Sequence, residues 1–467
     1  MKDAIIIGAG PGGYVAAIRL AQLGQQVAVV EAGPVGGVCL NWGCIPSKAF
    51  IYAANLLETV KAASKMGLMA DNVRLDTAKL QQWKSGVVKK LTGGIEHLFK
   101  SHGIELIRGE ARFTDAHTIA VRDAHGMESR HSAKHFIIAT GSRSVTLPGF
   151  EPDGQQVVTS RHALSWSEWP KHLAILGGGY IGLEMGSMAA KLGSQVTVIE
   201  QSETLLPGST EPELLQELTK QLKRQGLKLL TGERAQSLEK GPDGLRIHLQ
   251  SGQTVQADAL LVAVGRKPST DGLSLDKIGV QKTEKGFVQV DSRLRTSVPH
   301  IFAIGDVAGP PLLAHKASKE GLVAAAVIAG STEVLDVRAM PAVIFTDPKI
   351  ATVGLTEADA VAAGHTVRVG KFPFAASGRA MSMNETTGFI KVVADAETDA
   401  VLGVQMIGPD VSELIAEATL AIEMGATSQD LALTVHAHPT LPESLMEAAE
   451  AVHNQAIHVF QKQLQRV

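Results

Sequence analysis

Only two cysteines occur in 467 residues, so no network of disulfides staples this chain. Aromatic residues are scarce at 4%, and the net charge is only -3. So small a charge gives neither nucleic acid nor an anionic membrane an electrostatic reason to bind, and neither is expected as a partner. Long apolar runs are missing too: the most apolar windows, such as residues 321–330, fall far short of the roughly 18 residues of a membrane span. The first residues, Met1-Lys2-Asp3-Ala4-Ile5-Ile6-Ile7-Gly8, enter a strand and glycine turn with no export signal before them, so a cytoplasmic location is expected. No metal centre is expected.

What is abundant is glycine, with 47 residues, set in a chain that is 45% hydrophobic. That balance suits an α/β protein of apolar strands and glycine turns, and the length suits about three domains at roughly 150 residues each. Both copies of one pattern bear this out at the level of residues. Ala4 to Ile7 is apolar, then comes Gly8-Ala9-Gly10-Pro11-Gly12-Gly13, a helix-like stretch from Tyr14 to Leu23, and a strand Val27 to Val30 ending in Glu31. The same order returns as Leu173 to Leu176, Gly177-Gly178-Gly179-Tyr180-Ile181-Gly182, Leu183 to Leu192, and Val196 to Ile199 ending in Glu200.

In each copy the acid follows the first glycine by 23 positions. A buried strand, a tight glycine turn and the free N–H groups of a helix start together make a pyrophosphate cradle, and the acid can accept hydrogen bonds from a ribose. One such turn is a weak signal, but two complete copies predict two dinucleotide sites, at Gly8, Gly10, Gly13 and Glu31 and at Gly177, Gly179, Gly182 and Glu200. Glu200 favours NAD, because a carboxylate repels the 2'-phosphate of NADP and no arginine follows in Gln201-Ser202-Glu203-Thr204.

Three further apolar runs end in glycine: Phe136 to Gly141, Leu260 to Gly265 before Arg266, and Ile301 to Gly305 before Asp306. Their order predicts that the second nucleotide unit is inserted into the first, whose chain resumes near residue 271. After about residue 342 the nucleotide pattern gives way to shorter strands and amphipathic helices, which implies a further domain.

The two cysteines, Cys39 and Cys44, lie five positions apart. A ring that small stabilises a fold by about 2 kcal/mol at most, so a redox dithiol is the better reading. A thiolate is the reactive form, and it is favoured beside a cation or a helix N-terminus. Lys48 falls one turn beyond Cys44 if a helix starts at Pro46, a good first helical residue.

The segment Gly36-Gly37-Val38-Cys39-Leu40-Asn41-Trp42-Gly43-Cys44-Ile45-Pro46-Ser47-Lys48 resembles the redox signature of the class I pyridine nucleotide-disulfide oxidoreductases, and the resemblance extends over essentially the whole chain. It implies two Rossmann-like domains plus a C-terminal α+β domain: an FAD domain over residues 1–143, an NAD domain over 144–270, a central region over 271–341 that completes the FAD domain, and a dimerisation domain over 342–467. It assigns FAD to the first glycine turn, together with Lys48, Thr140, Gly141, Gly305, Asp306, Ala314 and His315. NAD goes to the second turn, with Tyr180 as a gate over the flavin and with Gly265. Cys39 becomes the thiol that exchanges with substrate and Cys44 the one that faces flavin, with Lys48 near flavin N5 and paired to Glu184.

Dithiol oxidation also needs a proton acceptor, and histidine suits neutral pH. The resemblance places it at His438, within His436-Ala437-His438-Pro439-Thr440, with Glu443 to orient the ring and the site completed across a homodimer interface. Two positions depart from the family's pattern: Pro442, just ahead of Glu443, and Ser269, where asparagine is common. The implied reaction is oxidation of dihydrolipoamide carried on a lipoyl-bearing protein, in 2-oxo acid dehydrogenase or glycine cleavage complexes, with NAD as acceptor. The competing readings are a glutathione-type disulfide reductase and a catalytically silent flavoprotein that senses NADH or serves as a structural partner.

Overall fold

A computed structural model describes residues 1–208 and 211–461. The chain forms two compact units, one of residues 1–154, 158–168 and 264–336, the other of residues 155–157, 169–263 and 337–467. The first unit is therefore interrupted, and the chain returns to it at Val264, a few residues earlier than the sequence pattern predicts.

Five strands of the first unit run parallel in the order Glu105–Arg108, Val27–Glu31, Lys2–Ile7, Glu128–Ile138, Ile301–Ala303. The first strand is apolar without alternation because both of its faces are covered. Ala4 and Ile6 pack with the helices Pro11–Gln22 and Ala314–Ile328, while Ile5 and Ile7 pack with Phe113, Ile119 and Phe136. The early part of Glu128–Ile138 also pairs antiparallel with Thr118–Arg122, which pairs with Glu110–Asp115. The chain leaves the first strand in opposite directions to reach Val27–Glu31 and Glu128–Ile138, so a crevice opens at its carboxyl end, the usual place for a ligand in such sheets.

The second unit repeats the plan with parallel strands Lys228–Thr231, Gln195–Glu200, His172–Leu176 and Ala259–Val262. A small antiparallel meander of Ala235–Gly241, Gly244–Leu249 and Thr254–Ala257 accompanies it. The same unit holds a five-stranded antiparallel sheet, in the order Ala342–Ile344, Lys349–Gly354, Val401–Gly408, Phe389–Asp395, Val367–Pro373. Its core of Phe372, Phe374, Ile390, Val404 and Met406 is covered by the helices Val411–Met424 and Glu443–Val452. Buried Lys391 ties this sheet to the nucleotide half of the unit through Glu211 at 2.5 Å, and it meets Glu357 at 2.6 Å. Among the described residues no helix is long and apolar enough to cross a membrane.

The helices after the two glycine turns start at Pro11 and Tyr180, three residues before the predicted Tyr14 and Leu183. Gly10 and Gly179 are the N-caps, so the last glycine of each motif lies inside the first helical turn rather than ahead of it. A side chain is excluded there by packing: a Cβ on Gly13 would sit 2.0 Å from the Gly8 carbonyl oxygen, and one on Gly182 would sit 2.1 Å from that of Gly177.

Candidate active site

The two acids that end the second strands are not solvated surface groups. Glu31 accepts the Ala9 and Gly33 N–H groups, each at 2.7 Å. Glu200, only 8% exposed, accepts those of Gly178 at 2.6 Å and Ser202 at 2.7 Å. Both carboxylates thus hold their glycine turn in shape, and each oxygen keeps a second lone pair for a ribose hydroxyl. The middle glycines face open space: a Cβ on Gly10 would meet only the Gly37 Cα, at 3.9 Å, and one on Gly179 nothing within 4 Å. A bare turn, free helix N–H groups and a ribose acceptor are the features a dinucleotide requires.

Of the remaining residues expected around FAD, Thr140-Gly141 and Gly305-Asp306 follow the carboxyl ends of the adjacent parallel strands Glu128–Ile138 and Ile301–Ala303. Thr140 Oγ1 donates to the Ser269 carbonyl at 2.7 Å and the Ser269 N–H donates to Gly141 at 2.9 Å, so the serine at this position supports the turn through its backbone. Asp306 lies in the turn Gly305–Ala308 and accepts a hydrogen bond from the Ser142 hydroxyl. Arg266 donates to Ser142 Oγ at 2.8 Å and to its carbonyl at 2.7 Å. Ala314 and His315 open the helix Ala314–Ile328, and Gly265 belongs to the first unit, where its carbonyl accepts the Val145 N–H at 3.0 Å. Tyr180 is the first residue of its helix and is 42% exposed.

Cys39 sits on the short helix Gly37–Trp42, and Cys44 is the first residue of the helix Cys44–Ala62, two residues ahead of the predicted start at Pro46. Pro46 is accommodated because the N–H groups of a first helical turn need no partner within the helix. Cys44 therefore occupies the end of a 19-residue helix that favours a negative sulfur. The cysteines are in contact with no disulfide between them: a hydrogen bond to Cys44, followed by burial, pushes the Cys39 thiol well above its ordinary range, although the Lys48 charge pulls it down. Tyr14 lies near enough that burial and then both sulfurs raise its phenol pKa.

In the second unit, His438 Nδ1 meets Glu443 Oε1 at 2.8 Å, with the ring 81% exposed. Burial alone would raise the Glu443 carboxyl, but the Thr440 N–H and His438 outweigh it and hold that carboxyl below its usual value. Pro442 adopts helical angles as N-cap of Glu443–Val452, so it leaves the His438 contact intact. The His438-Pro439 bond is cis. This helix lies close on the strand Val367–Pro373, where a Cβ on Gly370 would be 2.0 Å from the Ala448 carbonyl oxygen. Neighbouring His436 is engaged elsewhere, with Glu417 at 2.7 Å. Glu184 lies on Tyr180–Lys191 and accepts the Phe345 N–H at 2.9 Å; it belongs to the second unit and Lys48 to the first.

The sequence reading missed the Ser142–Arg266–Asp306 chain and the buried pair Lys316–Glu320. The first joins residues far apart in sequence and carries no local signal. The second had one, a Lys and a Glu four apart on a helix.

A dithiol beside one nucleotide turn, on a chain that carries a second, defines a disulfide oxidoreductase served by two dinucleotides. Residues 2–321 match the family of pyridine nucleotide-disulphide oxidoreductases and residues 340–449 match its dimerisation domain. The chain belongs to this family, and it is an oxidoreductase that uses FAD and NAD. Its curated relatives include the dihydrolipoyl dehydrogenases of Thermus scotoductus, 53% identical over 98% of this chain and 99% of that one, and of Geobacillus stearothermophilus, 48% identical over 98% of each. That of Bacillus subtilis is 46% identical over 98% of this chain and 97% of its own. Among solved structures, LpdA from Mycobacterium tuberculosis superposes with a TM-score of 0.90 at 28% identity over 96% of this chain and 99% of that one. The HOCl-induced flavoprotein disulfide reductase RclA from Escherichia coli, as its Cu(II) complex, gives 0.87 at 30% identity with the same shares.

Proposed function

We propose that this protein oxidises protein-bound dihydrolipoamide to lipoamide and delivers the electrons to NAD, as the flavoenzyme of a 2-oxo acid dehydrogenase or glycine cleavage complex in the cytoplasm. The observation that carries this reading is the pairing, in one chain, of the Cys39–Cys44 contact with the His438–Glu443 hydrogen bond at 2.8 Å. The full-length likeness to dihydrolipoyl dehydrogenases supports the substrate.

In the oxidised enzyme the two sulfurs form a disulfide. His438 takes a proton from one substrate thiol, with Glu443 fixing the tautomer and stabilising the charged ring. The substrate thiolate attacks Cys39, the Cys39–Cys44 bond breaks, and Cys44 leaves as the thiolate, favoured by its helix end and by Lys48. The second substrate thiol then displaces Cys39, closing the lipoamide disulfide and leaving both enzyme sulfurs reduced. FAD, which the first glycine turn with Glu31 and Asp306 would hold, would supply the two-electron chemistry that links the reduced dithiol to NAD at the second turn. The chain's part is to present the sulfurs, hold the proton at His438 and fix both dinucleotides by their glycine turns, with Tyr180 screening the flavin and Glu184 steadying Lys48.

His438 serves the dithiol of the partner subunit in a homodimer. Mixing His438→Ala subunits with Cys39→Ala subunits should restore about one competent site per heterodimer, and verified heterodimers without activity would reject the arrangement. The substrate is tested by anaerobic titration of the flavoprotein with dihydrolipoamide and, separately, reduced glutathione, followed by NAD or NADP reduction. Reduction by dihydrolipoamide with NAD as acceptor is the expected result. Reduction by glutathione alone, or strict dependence on NADP, would overturn it, and no reduction by either thiol would favour the silent flavoprotein.

A further inference from the structure

Among the buried charges of the first unit, one pair has no part in the chemistry described above. Lys316 and Glu320 lie one turn apart on the helix Ala314–Ile328, with side chains 9% and 4% exposed and their charges 2.8 Å apart. Neither is spent only on the other. Glu320 Oε2 accepts the Gly305 N–H at 2.6 Å, and Lys316 Nζ donates to the Gly309 carbonyl at 3.0 Å and the Gly305 carbonyl at 3.4 Å. The pair thus grips both ends of the turn that carries Asp306. Its helix is in turn pressed against the helix Pro11–Gln22, where a Cβ on Gly12 would meet the Ala317 carbonyl at 3.0 Å and one on Gly321 the Gly12 carbonyl at 2.7 Å.

We propose that Lys316 and Glu320 are positioning residues for FAD: their buried ion pair locks the Gly305–Gly309 turn, and so Asp306, to the helix behind the first glycine turn. The inference rests on reading Asp306 and the first glycine turn as the flavin site. Burial is costly for two charges unless both are paired and hydrogen-bonded, and here every bond beyond the pair itself goes to the turn. Glu320 is raised first by burial and held in check by Lys316, with Asp306 adding repulsion. Asp306 is the further charge that acts on Glu320, and Arg266 lies 4.0 Å from Asp306.

Removal of Lys316 leaves Glu320 with a raised pKa and no cation beside it. Below that pKa Glu320 is neutral and the turn holds; above it an uncompensated carboxylate is buried and the turn opens. The holoenzymes of Lys316→Met, Lys316→Arg, Glu320→Gln, Lys316→Met/Glu320→Gln and Asp306→Ala are diluted across a pH series, and released flavin is read by its fluorescence. Lys316→Met should bind FAD at least about tenfold more weakly, worth about 1.4 kcal/mol, and should lose it progressively as pH rises. The double variant should lose that pH dependence, and Lys316→Arg should restore near-normal retention.

A Lys316→Met variant that melts earlier but retains FAD as the parent does, at every pH, would overturn the inference. If Lys316→Met does not fold, Glu320→Gln and Lys316→Arg decide it: flavin loss in the first and retention in the second are required, and equal retention in both rejects it. If Asp306→Ala itself leaves FAD affinity unchanged, the flavin-site reading fails; if it weakens FAD while the Lys316 and Glu320 variants do not, only the positioning role fails.

Discussion

The two glycine turns share a backbone solution and differ in what backs them. In each the acid 23 positions on accepts the N–H of the second motif residue, and in each the last glycine packs on the carbonyl of the first. Behind the first turn, however, Gly12 admits the helix Ala314–Ile328, and Gly37 comes close enough that a Cβ on it would lie 2.7 Å from the Gly10 Cα. The equivalent of Gly12 in the second turn is Ile181, and the equivalent of Pro11 is the half-exposed Tyr180. One repeat is clamped by distant parts of its own unit. The other is closed mainly by its own strand and the buried Leu205-Leu206, whose Leu206 N–H donates to the Gly178 carbonyl at 3.0 Å. That difference matches a dinucleotide that stays with one that must come and go each turnover.

The largest test of the contrast uses the dithiol, which only the first turn carries. Cys44→Ser should lower dihydrolipoamide-dependent NAD reduction by about 10^3-fold or more, because the covalent route for the electrons is gone. NADH binding at the second turn, followed by quenching of its fluorescence, should stay within about twofold. A parallel loss of NADH affinity would mean that the two regions are coupled far more tightly than their separate glycine turns suggest.

Paired substitutions at the last glycines sharpen the contrast further. Gly13→Ala and Gly182→Ala insert the same methyl against the same kind of carbonyl, at 2.0 and 2.1 Å, so each should strain its turn by about 1–3 kcal/mol. The consequences should differ. Gly13→Ala should purify with depleted flavin and a lower melting temperature, whereas Gly182→Ala should keep its flavin and raise KM for NAD about tenfold. Equal flavin loss in both would remove the distinction between a clamped site and an open one.

These differences mark where the amino-acid sequence stops being informative. Both turns were legible because a parallel strand buried on two faces must be apolar and the turn after it must do without side chains, so Ala4 to Gly13 and Leu173 to Gly182 announce themselves locally. The dithiol and the His438–Glu443 segment were legible as short words of the same kind. What backs the first turn was not. Ser142, Arg266 and Asp306 are brought together only by the pairing of Ser142–Ser144 with Arg266–Pro268 and by the strand that ends at Ala303. Helix starts were misplaced by two or three residues because Gly10, Gly179 and Gly43 cap without a polar side chain, the signal a sequence reading looks for.

The smallest effect concerns the acids themselves, where structure adds a role that the ribose reading alone omits. Glu200 holds two N–H groups of its own turn, so its substitution confounds loop shape with nucleotide choice. Glu200→Gln separates the two, since the amide oxygen still accepts one of those bonds while the charge that repels a 2'-phosphate is lost. NAD should then bind only slightly more weakly, and the ratio of kcat/KM for NAD over NADP should fall about tenfold, or about 1.4 kcal/mol. The same change at Glu31 should leave that ratio untouched, because the first turn is read as the flavin's. An unchanged ratio in Glu200→Gln, together with a lower melting temperature, would reduce Glu200 to a brace for its loop and return the choice of nicotinamide cofactor to residues not yet identified.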